Sequence, residues 1–284
     1  MRTIKNIYPA VYSPVADLVT YRALPTQYVE YVDPFLFLNH HGPQVYQSNN
    51  QGLPFGPHPH RGMETVTFIL EGDIAHKDSS GHESVIKGGG VQWMRAGSGL
   101  IHAEISSDEF KQQGGDLEIL QLWVNLPARL KMAEPYYIGK QKEEIPSLVL
   151  NEGKVTANVI SGDWGNTHGA FESSTGIFLS TVYFKPGAEL DITIPEAHNV
   201  FFYVIASELN VNGTAVKALH LAEFNHDGDT LHITSATDGI LLLGHAMPFN
   251  EPVVAQGPFV MNTQEEIMQA YDDYRKGKFG TWNH

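Results

Sequence analysis

Apolar and polar positions along this chain alternate over short stretches, the spacing of β-strands, and fall at helical spacing near one end. Residues Glu64–Leu70 are rich in β-branched and aromatic side chains and stop at Glu71 and Gly72, which predicts a strand closed by a turn. Ile74–Lys77 follows and runs into Asp78–Gly81, whose Asp, Ser and Gly suit a tight turn. Further β-rich runs lie at Leu117–Leu126, Lys154–Ser161, Gly176–Phe184, Val200–Val211, Thr230–Thr234 and Gly239–Leu243. Many short strands with turn signals between them predict an all-β sandwich or barrel architecture. After Leu126 and Pro127 the alternation lapses, and Arg129–Pro146, with Lys131, Lys140, Lys142, Glu143 and Glu144, reads as a linker between two β halves. The expected division is therefore 1–130 and 131–284. Asn262 and Thr263 ahead of Glu265 and Glu266 give a capping box, and Ile267, Ala270, Tyr271 and Tyr274 fall on one helical face before Gly277. This predicts a C-terminal helix docked on the second half.

Composition narrows the chemistry. The 284 residues include 18 Lys and Arg against 32 Asp and Glu, a formal charge of −14, and such a field repels phosphate backbones. Apolar runs such as Gly239–Gly244 are far shorter than the roughly 20 residues that span a bilayer. Met1–Lys5 is not followed by the apolar stretch of a secretory leader, so the cytoplasm is the expected location. No Cys is present, which removes disulfides, thiolate nucleophiles and cysteine-held metals. Any metal must rest on His, carboxylate or carbonyl.

The most informative segment is Gly56–Gly62, which contains His58 and His60 two residues apart. In an extended strand such residues share a face, so both imidazoles can reach one ion. His102 and Glu104 repeat the spacing after the glycine-rich stretches Gly88–Gly90 and Gly97–Gly99. Two antiparallel strands would then present three imidazoles and a carboxylate, a donor set that suits Fe, Mn, Co, Ni, Cu or Zn over Ca or Mg. Glu64 competes for the carboxylate place because it lies an even number of residues from His60. It needs a bend, however, since four residues of strand span about 13 Å. Arg61 and Gln92 are candidates to support the ligands from behind, with a salt bridge the plainer role for Arg61. His40 and His41 read as surface or packing residues, and His76 and His82 as solvated turn residues. Phe55, Trp93 and Met94 read as core or as lining of the site's mouth. In the second half His198, His220, His226, His232 and His245 stand singly, so no metal is expected there.

HPHRG at 58–62 followed by ETVT at 64–67, the His76-x-Asp78-Ser79-x-Gly81 turn, VQWMRAG at 91–97 and His102-x-Glu104 together resemble the pirin family of the cupin superfamily. The likeness extends to Asp33–Phe35, Leu120–Pro127, Glu251–Val253 and Gly257–Asn262. Asn39–Gly42 and Gly88–Gly90 depart from the usual family pattern without touching the four candidate ligands. The resemblance implies two cupin (jelly-roll) β-barrel domains, with one metal, commonly iron, in the first, held by His58, His60, His102 and Glu104. It further implies a dioxygenase acting on flavonols and dioxygen, with Glu104 taking the substrate proton. The alternative it raises is a non-enzymatic regulator whose metal state sets its affinity for a protein partner. A metal-free sugar-binding or isomerase cupin fits less well, because all four ligand positions are filled. Without a cluster of Lys and Arg, the isolated protein is expected to show no saturable micromolar binding to duplex DNA at physiological salt, measured by fluorescence anisotropy.

Overall fold

A computed structural model describes residues 1–282, and its strands are paired antiparallel. The chain folds as two β-sandwiches of matching design. In the first, a seven-stranded sheet runs in the order Tyr136–Lys140, Val91–Arg95, Met63–Glu71, Gly115–Asn125, Phe35–Tyr46, Thr20–Leu24 and Val11–Tyr12. Its companion is a four-stranded sheet of Phe55–His60, Leu100–Ile105, Asp73–Asp78 and Glu83–Lys87. The second seven-stranded sheet runs Ile4–Pro9, His220–Phe224, Asn199–Ala206, Gly239–Ala246, Phe178–Phe184, Val155–Ser161 and Ser147–Leu150. Ala188–Thr193, Thr230–Ser235, Glu208–Val211 and Thr214–Lys217 form its partner. Eight successive strands thus repeat the same jelly-roll order in each half, as the all-β reading expected. Among the described residues no helix is long and apolar enough to cross a membrane.

Two expectations change. The stretch read as a linker contains the strand Tyr136–Lys140, which pairs with Val91–Arg95 in the register Tyr137 opposite Met94. An edge strand with half-buried residues lacks the alternation that marks a strand with one buried face. The corresponding edge of the second sandwich is supplied by Ile4–Pro9, from the start of the chain. The C-terminal helix Gln264–Arg275 carries the expected capping box between Thr263 and Glu266. Its Ile267 and Ala270, however, pack with Phe259, Met261, Phe279 and Ile101, so it closes the first sandwich and not the second. Helical spacing reveals that a face is apolar; it does not name what covers it. The contacts accordingly do not follow a split at 130: one compact unit comprises 12–21, 36–142 and the chain after Pro248, and the other comprises 1–11, 22–35 and 143–248.

The two interiors differ in kind. In the second, the cross-strand row Ala222, Phe202 and Leu243 is apolar and packs with Leu190, Ile192, Leu231 and Ile233. In the first, Gln92, Thr67 and Gln121 form a polar row across the matching three strands. A close-packed sandwich accepts such groups only where they find partners.

At one end of the second interior, His245 stacks on Phe178 with ring centroids 4.6 Å apart, and its Nδ1 meets Nδ1 of His198 at 3.0 Å. These histidines stand singly in the sequence, and the fold pairs them. Burial, reinforced by His198 and Arg2, pushes the His245 pKa from 6.5 down to about 3. The folded state thus binds fewer protons than the unfolded chain between those values. The stability it contributes is complete above about 6.5 and is lost as pH falls toward 3. His245→Phe, which keeps a ring on Phe178, should lower the acid slope of stability in urea melts by up to about 1.4 kcal/mol per pH unit in that window. An unchanged slope would assign acid sensitivity to other groups.

Candidate metal centre

The strand Phe55–His60 places His58 and His60 on one face, and Leu100–Ile105 runs antiparallel beside it with His102 opposite His58 and Leu100 opposite His60. The two-residue spacing on one strand and direct register on the other bring three imidazoles together. Ring centroids lie 4.8 Å apart for His58 and His60, 4.4 Å for His58 and His102, and 4.9 Å for His60 and His102. One ring nitrogen from each lies within 4.8 Å of the others. His60 and His102 are sealed, at 2% and 0% exposure, whereas His58 is half-buried and marks the accessible side.

Hydrogen bonding prepares the rings. Nδ1 of His58 meets the Gly56 carbonyl at 2.8 Å, and Nδ1 of His60 meets the Pro258 carbonyl at 3.1 Å. A carbonyl only accepts, so each Nδ1 carries a proton and Nε2 is the nitrogen left to ligate. Burial, with His58 beside it, pushes the His60 pKa down to about 3. Burial and its neighbouring imidazoles hold His102 well below its usual value too. Both stay neutral, the ligating form, near pH 7. Among the described residues, neither ring nitrogen of His102 has a hydrogen-bond partner. A buried imidazole with unused lone-pair capacity is costly unless something binds it, and a transition metal held among the three imidazoles would satisfy it.

Glu104 lies on the same strand as His102 and is 1% exposed. Thr67 Oγ1 donates to its Oε1 at 2.9 Å, Gln92 Nε2 donates to the same oxygen, and Gln121 Nε2 donates to Oε2. A carboxylate has about four lone-pair sites. Three are taken, and the remaining one is on Oε2.

Glu64 lies elsewhere. Its carboxylate receives Trp93 Nε1 at 3.0 Å and Arg95 Nε at 3.0 Å, and burial raises its pKa against the lowering effect of these partners. The even spacing from His60 does not put it on the same face, because the chain turns at Gly62, with φ +81°. A Cβ at Gly62 would collide with the Val260 carbonyl, so glycine is required where His60 hands over to the next strand. Lys131 secures this corner: its buried Nζ donates to the carbonyls of Gly62 and Val260 and to Asn125 Oδ1 at 2.9, 3.0 and 2.8 Å.

Arg61 makes a salt bridge, with Asp273 at 2.9 Å, and covers the Phe279 ring. His40 and His41 are buried packing residues, bonded to Glu118 and Thr20 at 2.8 Å each. Trp93 and Met94 belong to the core, and Phe55 packs beside Ile69 and Ile74. His82 is exposed, as expected of a turn. His76 is not: it is 1% exposed, pairs with Asp78 at 3.1 Å, and lies 5.5 Å from the His102 ring. The signal was present in the spacing, since Ile74, His76 and Asp78 alternate on one face of a strand that extends to Asp78. Reading the turn as beginning at Asp78 hid it.

A jelly-roll sandwich with a polar interior and three facing imidazoles defines a cupin-type protein with a candidate metal centre. Residues 17–124 match the family model described as Pirin, and 180–280 match that of the Pirin C-terminal cupin domain. The chain belongs to the pirin family. It is 39% identical over 262 residues to a pirin-like protein of Caulobacter vibrioides, covering 91% of each chain. The crystal structure of quercetin 2,3-dioxygenase from Acinetobacter baumannii is similar with a TM-score of 0.92 and 34% identity, over 99% of both chains. The bacterial pirin YhhW of Escherichia coli, in complex with nickel(II), shares the fold at a TM-score of 0.68 and 20% identity, over 86% of this chain and 100% of that one.

Glu104→Gln should reduce metal retention after gel filtration by about 10–100-fold in affinity. Glu64→Gln should lower the melting temperature and leave retention near wild type. Elemental analysis of both variants separates the two roles, and the reverse ranking would move the carboxylate assignment to Glu64.

Proposed function

We propose that this chain is a metal-dependent dioxygenase of the quercetinase type, which opens the central ring of flavonols with dioxygen. In this reading His58, His60, His102 and Glu104 hold one divalent transition metal, with Fe2+ as the resident ion and Mn, Co, Ni, Cu or Zn able to occupy the same donors. The metal-binding domain is the first jelly roll, and the second is metal-free. The observation that carries the reading is the convergence of three imidazoles inside a jelly roll, with Glu104, two residues along the strand from His102, offered as the fourth ligand. Similarity to a protein named as a quercetin 2,3-dioxygenase, at 34% identity, supports the substrate class.

When bound, the ion would supply a Lewis acid that lowers the pKa of a chelated 3-hydroxyl and a place for dioxygen to meet the ring. The protein's own residues do the rest. Half-buried His58 leaves an approach to the site, while sealed His60 and His102 exclude water behind it. Glu104 has one open position, on Oε2, which would hold the ion in the resting site and accept the hydroxyl proton only on giving up that bond, and Thr67, Gln92 and Gln121 keep the carboxylate from rotating.

The test is loss of the flavonol absorbance band in air by iron-loaded protein, against an anaerobic control. Quercetin should be consumed, and the analogue lacking the 3-hydroxyl should not. His60→Ala should fall to the rate without protein. If protein loaded with a full equivalent of each candidate metal leaves quercetin untouched, the enzyme reading fails and the metal-responsive regulator acting on a protein partner replaces it.

A further inference from the structure

We propose that Tyr137 is a positioning residue of this metal centre: through Gln92 it decides which face of an amide, and so which orientation of Glu104, the metal meets. The inference rests on the metal-centre reading and goes beyond it, because Tyr137 comes from the edge strand Tyr136–Lys140, which contributes none of the four candidate ligands.

Tyr137 touches the site in two ways. Its ring lies flat on His76, with centroids 3.8 Å apart and planes 7° from parallel. Its hydroxyl donates to Gln92 Oε1 at 3.1 Å and meets Ser84 Oγ at 2.5 Å. With the tyrosine proton committed to Gln92, Ser84 is the donor in the second pair. A directed chain therefore runs from Ser84 through Tyr137 and Gln92 to Glu104 Oε1.

The direction matters because the two ends of a glutamine amide are almost the same shape and opposite in polarity. With Nε2 toward Glu104, Gln92 donates to the carboxylate. Turned over, it would press its oxygen against a carboxylate oxygen. Thr67 and Gln121 hold Glu104 but neither touches the Gln92 oxygen; the Tyr137 hydroxyl does, and a donor there admits one orientation. Losing it frees Gln92 to turn and Glu104 to rotate, so the lone pair offered from Oε2 shifts. Metal-supporting contacts of this kind are worth about 10–100-fold in metal affinity.

Tyr137→Phe separates the two contacts, since it keeps the ring on His76 and deletes the hydroxyl. Full-length protein, stripped with chelator and titrated with Co2+, gives both an affinity and a visible absorption spectrum that reports ligand geometry. Expected for Tyr137→Phe are a melting temperature close to wild type, Co2+ binding weaker by about tenfold and an altered visible band. In a Gln92→Leu background the same substitution should change nothing more, because its effect passes through Gln92. Ser84→Ala should shift the band in the same direction by less, and it carries the test if Tyr137→Phe does not fold. Wild-type affinity and spectrum in Tyr137→Phe, or full additivity with Gln92→Leu, would overturn the assignment while leaving the metal centre intact. Failure of the wild-type protein to bind Co2+ would instead overturn the metal-centre reading and this inference with it.

Discussion

A carboxylate sealed inside a β-sandwich must be met by donors from within the protein, and the first jelly roll of this pirin is organised around meeting Glu104. The three donors come from three adjacent strands of the opposing sheet: Gln92, Thr67 and Gln121 sit side by side in register on one face. Each must be in its place for the charge to be tolerated, because a buried ion without partners is among the costliest features a fold can carry. The demand constrains register across all three strands. A slip of one residue would turn the donors outward and leave the charge bare.

The repeat of the same strand order in the second half shows how much of this is a choice of side chains and how little a choice of fold. There the comparable row is Ala222, Phe202 and Leu243, and the interior closes as an ordinary hydrophobic core. One scaffold thus serves two purposes. The apolar copy gains stability by burying surface, while the polar copy gives up such burial for a hydrogen-bonded set of polar groups around Glu104. The extra supports of the first half fit this division: Lys131 joins the Gly62 corner to Val260, Arg61 pairs with Asp273 of the C-terminal helix, and the Pro258 carbonyl orients His60. All three tie the last stretch of the chain to the strand ends beside His58, His60 and His102, so that stretch works as a brace for this corner.

Much of the candidate site was legible in the residues themselves. A strand has a period of two, so His58 with His60 and His102 with Glu104 announce shared faces wherever the strand stays regular. Legibility ended where regularity ended. Glu64 competes for the carboxylate place only if parity runs unbroken through Gly62, and the positive φ of that glycine resets which face comes next. His76 reads as a turn residue only if the strand is stopped short of Asp78, which both ends a strand and begins a turn; the alternation of Ile74, His76 and Asp78 marks an inward face, but not that this face lies beside His102.

What the sequence by itself determined is local: the short strands, the capped helix, the two-residue spacings of His58 with His60 and His102 with Glu104, and the absence of cysteine chemistry are all read from residues near in the chain. The family motifs add long-range information that local physics does not contain. Only the tertiary structure decided which surfaces meet. The helix covers the first sandwich, the chain's first strand completes the second, and Tyr137 reaches Ser84 and Gln92, 53 and 45 residues away in sequence. Periodicity marks the face that a segment must bury, whereas the partner that buries it is selected by the packing of the whole chain.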